Sequence, residues 1–494
     1  MASNRRGGRR RKATGSQRHR GAKLTVLDLF SGCGGLSLGF HRAGFRITGG
    51  IEIDPLASET FAANLLSGAS RSKANSKVGP IDIAGMAPND YLEQFLGNGH
   101  VDVIVGGPPC QPFARIGRAK LREVMNHKKA HLRDGRADVY MHMLNYVDHF
   151  RPRAVLLENV PDMMNFGGRN VAEEIAVSLE DFGYRAGYTV LNSAHYGAPQ
   201  LRPRLYLLAY RCDLGVEPGF PRPTHFYRLP KGYVDALRAS LKHYQSFDGA
   251  LHYVDAPTPS EELPSAVSVQ EAIGDLPPIR EHLKREIHGP RRFDRLVPYP
   301  RAGRISAYAC DMRFWPGFEN REGVYDHVIR YLPRDHRIFR AMDEGDEYPE
   351  AHKIAVGLFL QRLAGIGRKS GKPPSRDSKA YRQLMAAIVP PYDPQKFPNK
   401  WRKLGADAPS HTLTAHMGKD TYSHIHYDSA QARVISVREA ARLQSFPDGF
   451  RFAGAMNSAF RQIGNAVPPL QAYALAMEIR SALVGRGTKK ATHK

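Results

Sequence analysis

Residues 24–54 read LTVLDLFSGCGGLSLGFHRAGFRITGGIEID. The apolar runs 24–30 and 47–53 predict two buried strands, and the glycine-rich stretch 31–40 predicts a loop that opens a helix between them. Glu52 stands near the end of the second strand. In this order the elements form a βαβ nucleotide-binding unit, in which glycines let the backbone approach a ligand and the carboxylate accepts from ribose hydroxyls. The stretch therefore predicts an α/β fold, a Rossmann-like sheet with helices on both faces.

The glycine spacing in this loop narrows the choice of ligand. It differs from the dinucleotide pattern GxGxxG, so a ligand with a ribose but no pyrophosphate, such as S-adenosylmethionine, suits it better. The alternative is a glycine-rich helix start that binds nothing. Further on, Ile81-Asp82-Ile83 is an apolar–acid–apolar step. It predicts either a third strand end with Asp82 facing an adenine amino group, or a solvent-facing aspartate in a loop.

Residues 101–114, VDVIVGGPPCQPFA, predict a buried strand that ends in a rigid turn. Two glycines let the backbone approach a ligand, and two prolines fix φ and remove backbone donors. Cys110 follows them directly. A thiol held in this way beyond the carboxyl end of a strand is placed as a nucleophile would be. The alternative is a structural cysteine packed in a tight turn.

Residues 154–160, AVLLENV, predict another buried strand, with Glu158 at its carboxyl end. A carboxylate there is costly unless it is used or paired, so we expect a functional group, a core ion pair or a helix cap. Beyond it, Gln200, Arg202 and Arg204 alternate and share one face at strand spacing. They predict a clamp for an anion or a carbonyl oxygen, with surface arginines on an edge strand as the alternative.

The overall charge indicates a polyanionic partner. The chain has 494 residues with 71 Lys plus Arg against 48 Asp plus Glu, a formal net charge of +23. A basic protein with no nucleic-acid role is the alternative, because net charge describes steering and solubility. No apolar run is long enough to cross a bilayer, and the N-terminus lacks the apolar segment of a secretory signal. The four cysteines are too few for a disulfide framework, which fits a reducing cytoplasm or a nucleus.

Changes in composition divide the chain into five predicted parts. Residues 1–23 form a basic arm that we expect to be disordered, and 486–494 form a basic tail. The well-patterned segments 24–210 and 432–485 predict one catalytic and cofactor-binding domain. Residues 211–431, where prolines and aromatic residues are scattered among basic ones, predict either a smaller, irregular second domain or a large insertion with irregular loops.

Five blocks of sequence resemble the DNA (cytosine-5)-methyltransferase family and occur in its usual order. The blocks are DLFSGCGGLSLGF, GGPPCQPFA, ENV, QLRPR and QIGNAVPP. The resemblance implies a monomeric enzyme that transfers a methyl group from S-adenosylmethionine to carbon 5 of a flipped-out cytosine in a short duplex DNA sequence. It also implies that 211–431 is the target-recognition domain, with a restriction endonuclease as a candidate partner. An RNA methyltransferase and a non-catalytic DNA-binding protein are the alternatives.

The resemblance also implies catalytic roles. Cys110 would add to carbon 6 of the cytosine, and Glu158 would hold a proton against ring nitrogen 3. Arg204 would steady the cytosine carbonyl, with Arg202 and Gln200 supporting its strand. The basic stretch 115–136, rich in Lys, Arg and His, is the candidate for a loop that closes over the extruded base.

No metal is implied, and the resemblance to the family also implies the cofactor residues. They are Phe30, Ser31, Gly32, Gly34, Glu52, Ile53, Asp82, Ile83, Pro108, Asn465 and Val467. Phe30 would stack near the adenine, Glu52 would bind the ribose and Asp82 the adenine amino group. Asn465 and Val467 would close the cofactor site, where Gly464 and Asn465 are expected to permit unusual backbone angles before the last helix.

Overall fold

The computed structural model describes residues 23–66, 79–97, 99–109, 139–166, 168–230, 251–284, 295–301, 303 and 305–485. Cys110, the loop 115–136, the basic tail and the basic arm up to residue 22 lie outside these ranges. Within the described part of the chain, every helix is too short or too polar to reach across a lipid bilayer. In that part, no group of three or more His, Cys, Asp or Glu side chains could hold a metal ion.

Strands and helices alternate along the first part of the chain. In chain order they are β1 (Thr25–Leu29), α1 (Gly35–Arg42), β2 (Arg46–Ile51), α2 (Pro55–Leu65), α3 (Pro88–Tyr91), a π-helical turn (Leu92–Leu96), β3 (Val103–Gly106), α4 (Val139–Phe150), β4 (Ala154–Asn159), a 3₁₀ turn (Pro161–Asn165), α5 (Val171–Asp181), β5 (Tyr184–Asn192), a 3₁₀ turn (Ser193–Tyr196), β6 (Gln200–Leu201), β7 (Pro203–Arg211) and a 3₁₀ turn (Cys212–Leu214).

The later elements are mostly helices joined by irregular segments. They are α6 (Val269–Ile273), a 3₁₀ turn (Glu281–Lys284), β8 (Val297–Pro298), α7 (Ala307–Arg313), β9 (Gly323–Val324), α8 (His336–Ala341), α9 (Tyr348–Ser370), α10 (Lys379–Ala386), β10 (Ser410–His411), a 3₁₀ turn (Ala415–Gly418), α11 (Val437–Leu443), α12 (Met456–Asn465) and α13 (Pro469–Val484).

Six strands form one sheet in the order β2-β1-β3-β4-β7-β5. The first four are parallel, and β7 runs antiparallel between β4 and β5. On one face Leu27 and Val155 share a core with α4 and α5, and on the other Val26 and Leu156 share a core with α1 and α13. Helices therefore cover both faces, as the buried β1, β3 and β4 require. The predicted Rossmann-like α/β fold is confirmed.

The C-terminal segment returns to this sheet through a buried charged helix. Helix α11 begins with a capping box, in which Ser436 and Glu439 exchange side-chain and backbone hydrogen bonds. The same glutamate pairs with Arg433, with 2.6 Å between Nη2 and Oε1, and both side chains are buried. Arg442 and Asp448 form a second buried pair at 2.6 Å. Buried charges are costly unless paired, so these pairs hold the helix in place.

Gly464 departs from the expectation of an unusual backbone angle. Both Gly464 and Asn465 lie in α12, and neither has a positive φ. Glycine is needed for a different reason: a Cβ at position 464 would lie 2.2 Å from the carbonyl carbon of Thr414. The residue permits close contact between α12 and the segment that follows β10.

The irregular middle region contains a helix that the sequence pattern did not predict. α9 has 23 residues, but its buried positions stop at Phe359, so the apolar periodicity fades halfway along it. Around its first half, Phe339, Tyr348, Trp401 and Val434 belong to a separate core cluster. The division of the chain into domains at 211 and 432 stays a prediction.

Candidate active site

The loop after β1 passes through three residues with left-handed backbone angles. Phe30, Gly32 and Gly34 have φ values of 58°, 54° and 96°. Glycine adopts this region freely, whereas phenylalanine rarely does, so the surrounding structure must hold Phe30 there. The amide of Ser31 donates to the carbonyl oxygen of Ile51 at 3.0 Å. This contact brings the loop to the carboxyl end of β2.

Glu52 lies beside the loop and accepts two backbone hydrogen bonds. Its Oε2 accepts from the amide of Gly32 at 2.8 Å, and its Oε1 accepts from the amide of Asp54 at 2.7 Å. Burial raises the pKa of this carboxyl, and the amide donors oppose the rise. Each oxygen retains a lone pair for a further donor, such as a hydroxyl. Ile53, next in the chain, leaves 65% of its surface exposed.

Asp82 and Ile83 lie in a loop beside the same strand end. The amide of Ile81 donates to the carbonyl oxygen of Glu52 at 2.7 Å. Asp82 is exposed and its Oδ1 accepts from the amide of Ala84 at 3.0 Å, whereas Ile83 is buried. The expected third strand end is therefore wrong, because Asp82 lies in a loop and faces solvent. Its contact with an adenine amino group stays a prediction. The buried side chains of Ile81 and Ile83 anchor this loop in the core, although the loop is not part of a strand.

Asn465 and Val467 lie where α12 ends. Asn465 is exposed, and the backbone of Val467 packs so closely on α1 that a Cβ at Gly35 would lie 2.3 Å from its carbonyl oxygen. Cys33 Sγ donates to the carbonyl oxygen of Gln462 at 3.6 Å. These contacts join the glycine loop to α12, although more than 400 residues separate them in sequence.

The end of β4 meets the turn that follows β3. Asn159 Nδ2 donates to the carbonyl oxygen of Pro108 at 2.9 Å, and a Cβ at Gly107 would lie 3.1 Å from Glu158 Oε2. Glu158 is 9% exposed and forms an ion pair with Arg204, whose Nε lies 3.2 Å from Oε1. The carboxyl and the guanidinium therefore stand beside the turn that leads toward Cys110, which itself lies outside the described residues.

Burial favours the protonated form of Glu158. It raises the pKa of the carboxyl, and the positive charges of Arg204 and Arg202 oppose the rise without cancelling it. A carboxyl in this setting holds its proton to a higher pH than an exposed glutamic acid does. It can therefore donate a proton or a hydrogen bond to a ring nitrogen.

Two of the three alternating polar residues contact the protein itself. Arg202 donates to the carbonyl oxygens of Leu413 and Gly464, at 2.7 and 3.1 Å, and Gln200 Oε1 accepts from the amide of Leu413 at 2.8 Å. The expected clamp of three donors is wrong, because only Arg204 reaches the carboxyl at the end of β4. β6 leaves the main sheet to pair with β10, which turns Gln200 and Arg202 toward the middle region. Arg202 is buried, and burial lowers the pKa of its guanidinium to about 9.

Gln444 joins this network, although no sequence pattern identified it. Its Oε1 accepts from Gln200 Nε2, and its Nε2 donates to the carbonyl oxygen of Ala466. The side chain is fully buried. It thus links β6 to the segment after α12. Sequence spacing could not reveal it, because one of its partners is 244 residues away.

Asp28 is a second residue that the sequence analysis missed. It is fully buried in β1, where Oδ2 accepts from Ser37 Oγ at 2.7 Å and Oδ1 has no hydrogen-bond partner in the described structure. Burial raises the pKa of its carboxyl to about 7, the hydrogen bonds from Ser37 oppose the rise, and the charge of Glu52 adds to it. An acid inside the apolar run LTVLDLF was the available signal.

We expect Asp28 to make the folded state less stable as the pH rises. Its pKa is 3.8 when unperturbed and about 7 when folded, so stability present below pH 3.8 is lost progressively up to about pH 7. The loss is on the order of 1 kcal/mol per pH unit in that window. Thermal unfolding of the wild type and of Asp28→Asn at pH 5 and pH 7 tests this. The variant should lose less stability between the two values; equal losses would contradict the expectation.

The sheet is covered by helices on both faces. A glycine loop, an adjacent carboxylate and a buried Glu–Arg pair lie at the carboxyl ends of its strands. Together these features define a Rossmann-like methyltransferase fold. A prophage-encoded E. coli protein, provisionally titled a DNA modification methyltransferase, has this fold with a TM-score of 0.55, 20% identity, and coverage of 93% of this chain and 99% of its own. The chain belongs to the C-5 cytosine-specific DNA methylase family, whose model matches residues 24–276 and 363–481. It is therefore an enzyme of the DNA (cytosine-5)-methyltransferase class, EC 2.1.1.

Two bacterial relatives match along nearly their whole length. The chain is 39% identical over 469 residues to M.OihORF3336P of Oceanobacillus iheyensis, provisionally named a type II methyltransferase, and covers 96% of it. It is 32% identical over 483 residues to the type II methyltransferase M.AgeI of Thalassovita gelatinovora and covers 100% of it. Each alignment takes in 93% of this chain.

Proposed function

We propose that this enzyme methylates carbon 5 of cytosine within one short sequence of duplex DNA, with S-adenosylmethionine as the methyl donor. The observation that carries the proposal is the buried Glu158–Arg204 pair, which stands against the turn before Cys110. The names of the bacterial relatives support a role as the modification enzyme of a restriction-modification pair. A cognate restriction endonuclease is then the expected partner, and a monomer the expected state.

The proposed reaction begins with Cys110, because carbon 5 of cytosine is a weak nucleophile. The thiolate forms a bond to carbon 6, and the electrons of the 5,6 double bond make carbon 5 part of an enamine. Carbon 5 would then take the methyl group as the bond between that methyl carbon and the donor's sulfonium sulfur breaks, which would leave the sulfur as a neutral thioether. A base removes the hydrogen of carbon 5 as a proton, and the thiolate leaves carbon 6 as the double bond forms again.

Glu158 and Arg204 assist the addition step. A protonated Glu158 donates to ring nitrogen 3, which draws electrons away from carbon 6 and lowers the barrier to thiolate attack. The Arg204 guanidinium, held by the same carboxyl, donates to the carbonyl oxygen at carbon 2 of the ring. Arg202 acts at a distance, by fixing the start of β7 to Leu413 and Gly464.

The residues around the glycine loop fit an adenosine-type cofactor. Glu52 accepts from the ribose hydroxyls, since its two amide donors orient the carboxylate and leave lone pairs available. The exposed Ile53 offers an apolar surface for a flat ring, and the exposed Asp82 offers an acceptor for an amino group. Phe30, Ser31, Gly32, Gly34, Ile83, Pro108, Asn465 and Val467 complete the proposed site. When bound, S-adenosylmethionine supplies an electrophilic methyl group.

The target cytosine must leave the helix before Cys110 can reach it. Carbon 6 is stacked inside duplex DNA, so the nucleotide has to be extruded into the site. We propose residues 211–431 as the target-recognition domain that supports this step. Leu413 of that region is hydrogen-bonded to Arg202 and Gln200. Thr414 lies against Gly464. The region therefore contacts the segment that leads into β7 and the helix α12 that ends at Asn465.

Methylation sequencing tests the proposal directly. A plasmid propagated with the wild-type protein should carry 5-methylcytosine at nearly every copy of one short sequence, and a plasmid from cells with the empty vector should not. Total tRNA from the same cells is the control for an RNA substrate. Methyl groups in tRNA and none in the plasmid would refute the DNA assignment, and none in either would refute the methyltransferase assignment at carbon 5.

A further inference from the structure

Helices α9 and α10 form a hairpin that stands out from the middle region. Gly371, with a φ of 77°, ends α9, and Ser378 Oγ caps α10 by accepting from the amide of Tyr381 at 3.2 Å. The rings of Phe359 and Tyr381 pack edge to face at 5.1 Å between centroids, which holds the two helices together. The hairpin is therefore a defined element of structure.

Only the root of this hairpin is buried. The buried residues of α9 are Tyr348, Ala351, Ala355 and Phe359, and α10 has none. The eleven residues of α9 after Phe359 span about 16 Å at 1.5 Å per residue. We call residues 360–388 the basic tip. Its apolar side chains pack against the core around the root, and the segment carries seven basic residues and one acid.

The seven basic side chains of the tip are all exposed. They are Arg362, Arg368, Lys369, Lys372, Arg376, Lys379 and Arg382. None of them forms an ion pair within the described residues. Near the root, Arg402 pairs with Glu347 and Lys400 with Asp420, whereas Lys353 of α9 is exposed and in no ion pair within the described residues. The tip therefore concentrates cations that have no neutralising partner among the described residues.

The helix dipoles explain only part of this pattern. Arg368 and Lys369 lie at the C-terminal end of α9, where cations are favoured. Arg376, Lys379 and Arg382 lie around the N-terminal end of α10, where the dipole disfavours them. Like charges at this density also repel one another, and an external polyanion would relieve that repulsion.

We propose that the basic tip contacts the phosphate backbone of duplex DNA and adds affinity that does not depend on base sequence. The inference rests on the proposed function, which supplies DNA as the polymer. Guanidinium and ammonium groups are the donors that proteins use for phosphate oxygens. The root packs against Trp401, whose ring stacks on Tyr422. Two residues after Tyr422, the ring of His424 lies 4.0 Å from that of His411 in β10. Leu413, two residues after His411, contacts Arg202 and Gln200. The tip therefore belongs to a segment that continues to the site.

The salt dependence of DNA binding tests this proposal. The double variant Arg368→Gln/Lys372→Gln is compared with the control Lys23→Gln/Arg46→Gln, which removes the same charge from exposed positions at the amino ends of β1 and β2. The full-length proteins are titrated on a 30-base-pair duplex across a range of NaCl concentrations. We expect the slope of log K against log salt to fall by about 1 to 2 for the tip variant, since each phosphate contact contributes about 0.9.

Further readouts separate the tip from the rest of the enzyme. The tip variant should lose the same binding affinity on target and scrambled duplexes. Its KM for DNA should rise, while its kcat at saturating DNA stays unchanged. An unchanged slope in the tip variant, an equal fall in the control, or binding of the tip to phosphatidylglycerol vesicles with no change on DNA would overturn the proposal. Because the titration requires no methyl transfer, failure of the proposed function would not hide the result.

Discussion

Replacing Cys110 with alanine should abolish methyl transfer while leaving DNA binding intact. Without a thiolate, no group adds to carbon 6 and carbon 5 never becomes a nucleophile. We expect a fall in kcat on the order of 10⁴-fold or more, as is found when a catalytic nucleophile is removed. Residual tritium transfer from labelled S-adenosylmethionine to duplex DNA measures it.

DNA with 5-fluorocytosine at the target position tests the same prediction, because it should trap the covalent adduct between Cys110 and carbon 6. Fluorine at carbon 5 cannot leave as a proton, so the wild-type protein should remain attached to the DNA on a denaturing gel, and Cys110→Ala should not. Cys212 and Cys310 are exposed thiols, and Cys212→Ala and Cys310→Ala are matched controls that should still be trapped. An adduct with Cys110→Ala would refute the assigned nucleophile.

The local parts of this site were predictable from the sequence. An apolar run sets a buried strand, and parallel strands bring their carboxyl ends to one edge, so Glu52 and Glu158 were expected on that edge. The same reasoning predicted the loop before α1. These features depend on residues close together in the chain, which is why periodicity and short motifs reveal them.

Contacts between distant segments were not predictable in this way. Gln200, Arg202 and Arg204 alternate as if they formed one clamp, yet two of them bind a backbone 211 or more residues away. Position 464 suggested an unusual turn, but the requirement was space for Thr414. In both cases the partner residue comes from the middle region. The sequence of that region does not indicate how it aligns with β6 or α12. The basic tip could not be recognised from the sequence for a related reason, because the exposed surface of a helix shows no apolar periodicity.

Glu158→Gln is the variant that most sharply tests the acid in the proposed reaction. The amide keeps the shape of the side chain and can still donate a hydrogen bond, but it has no proton to transfer to ring nitrogen 3. We expect kcat/KM to fall by about 10² to 10⁴-fold, the usual contribution of general acid catalysis. DNA binding should change little, because the side chain is 9% exposed and faces Arg204.

The pH profile separates loss of the acid from loss of packing around Arg204. Burial raises the pKa of Glu158, so the wild-type carboxyl is protonated below that raised value and loses its proton as the pH rises through it. Wild-type kcat/KM should therefore fall with rising pH as Glu158 deprotonates. In Glu158→Gln this falling limb should vanish, since the amide does not titrate. Glu59→Gln, at an exposed position of α2, should keep it. A falling limb that persists in Glu158→Gln would assign the proton donor to another group.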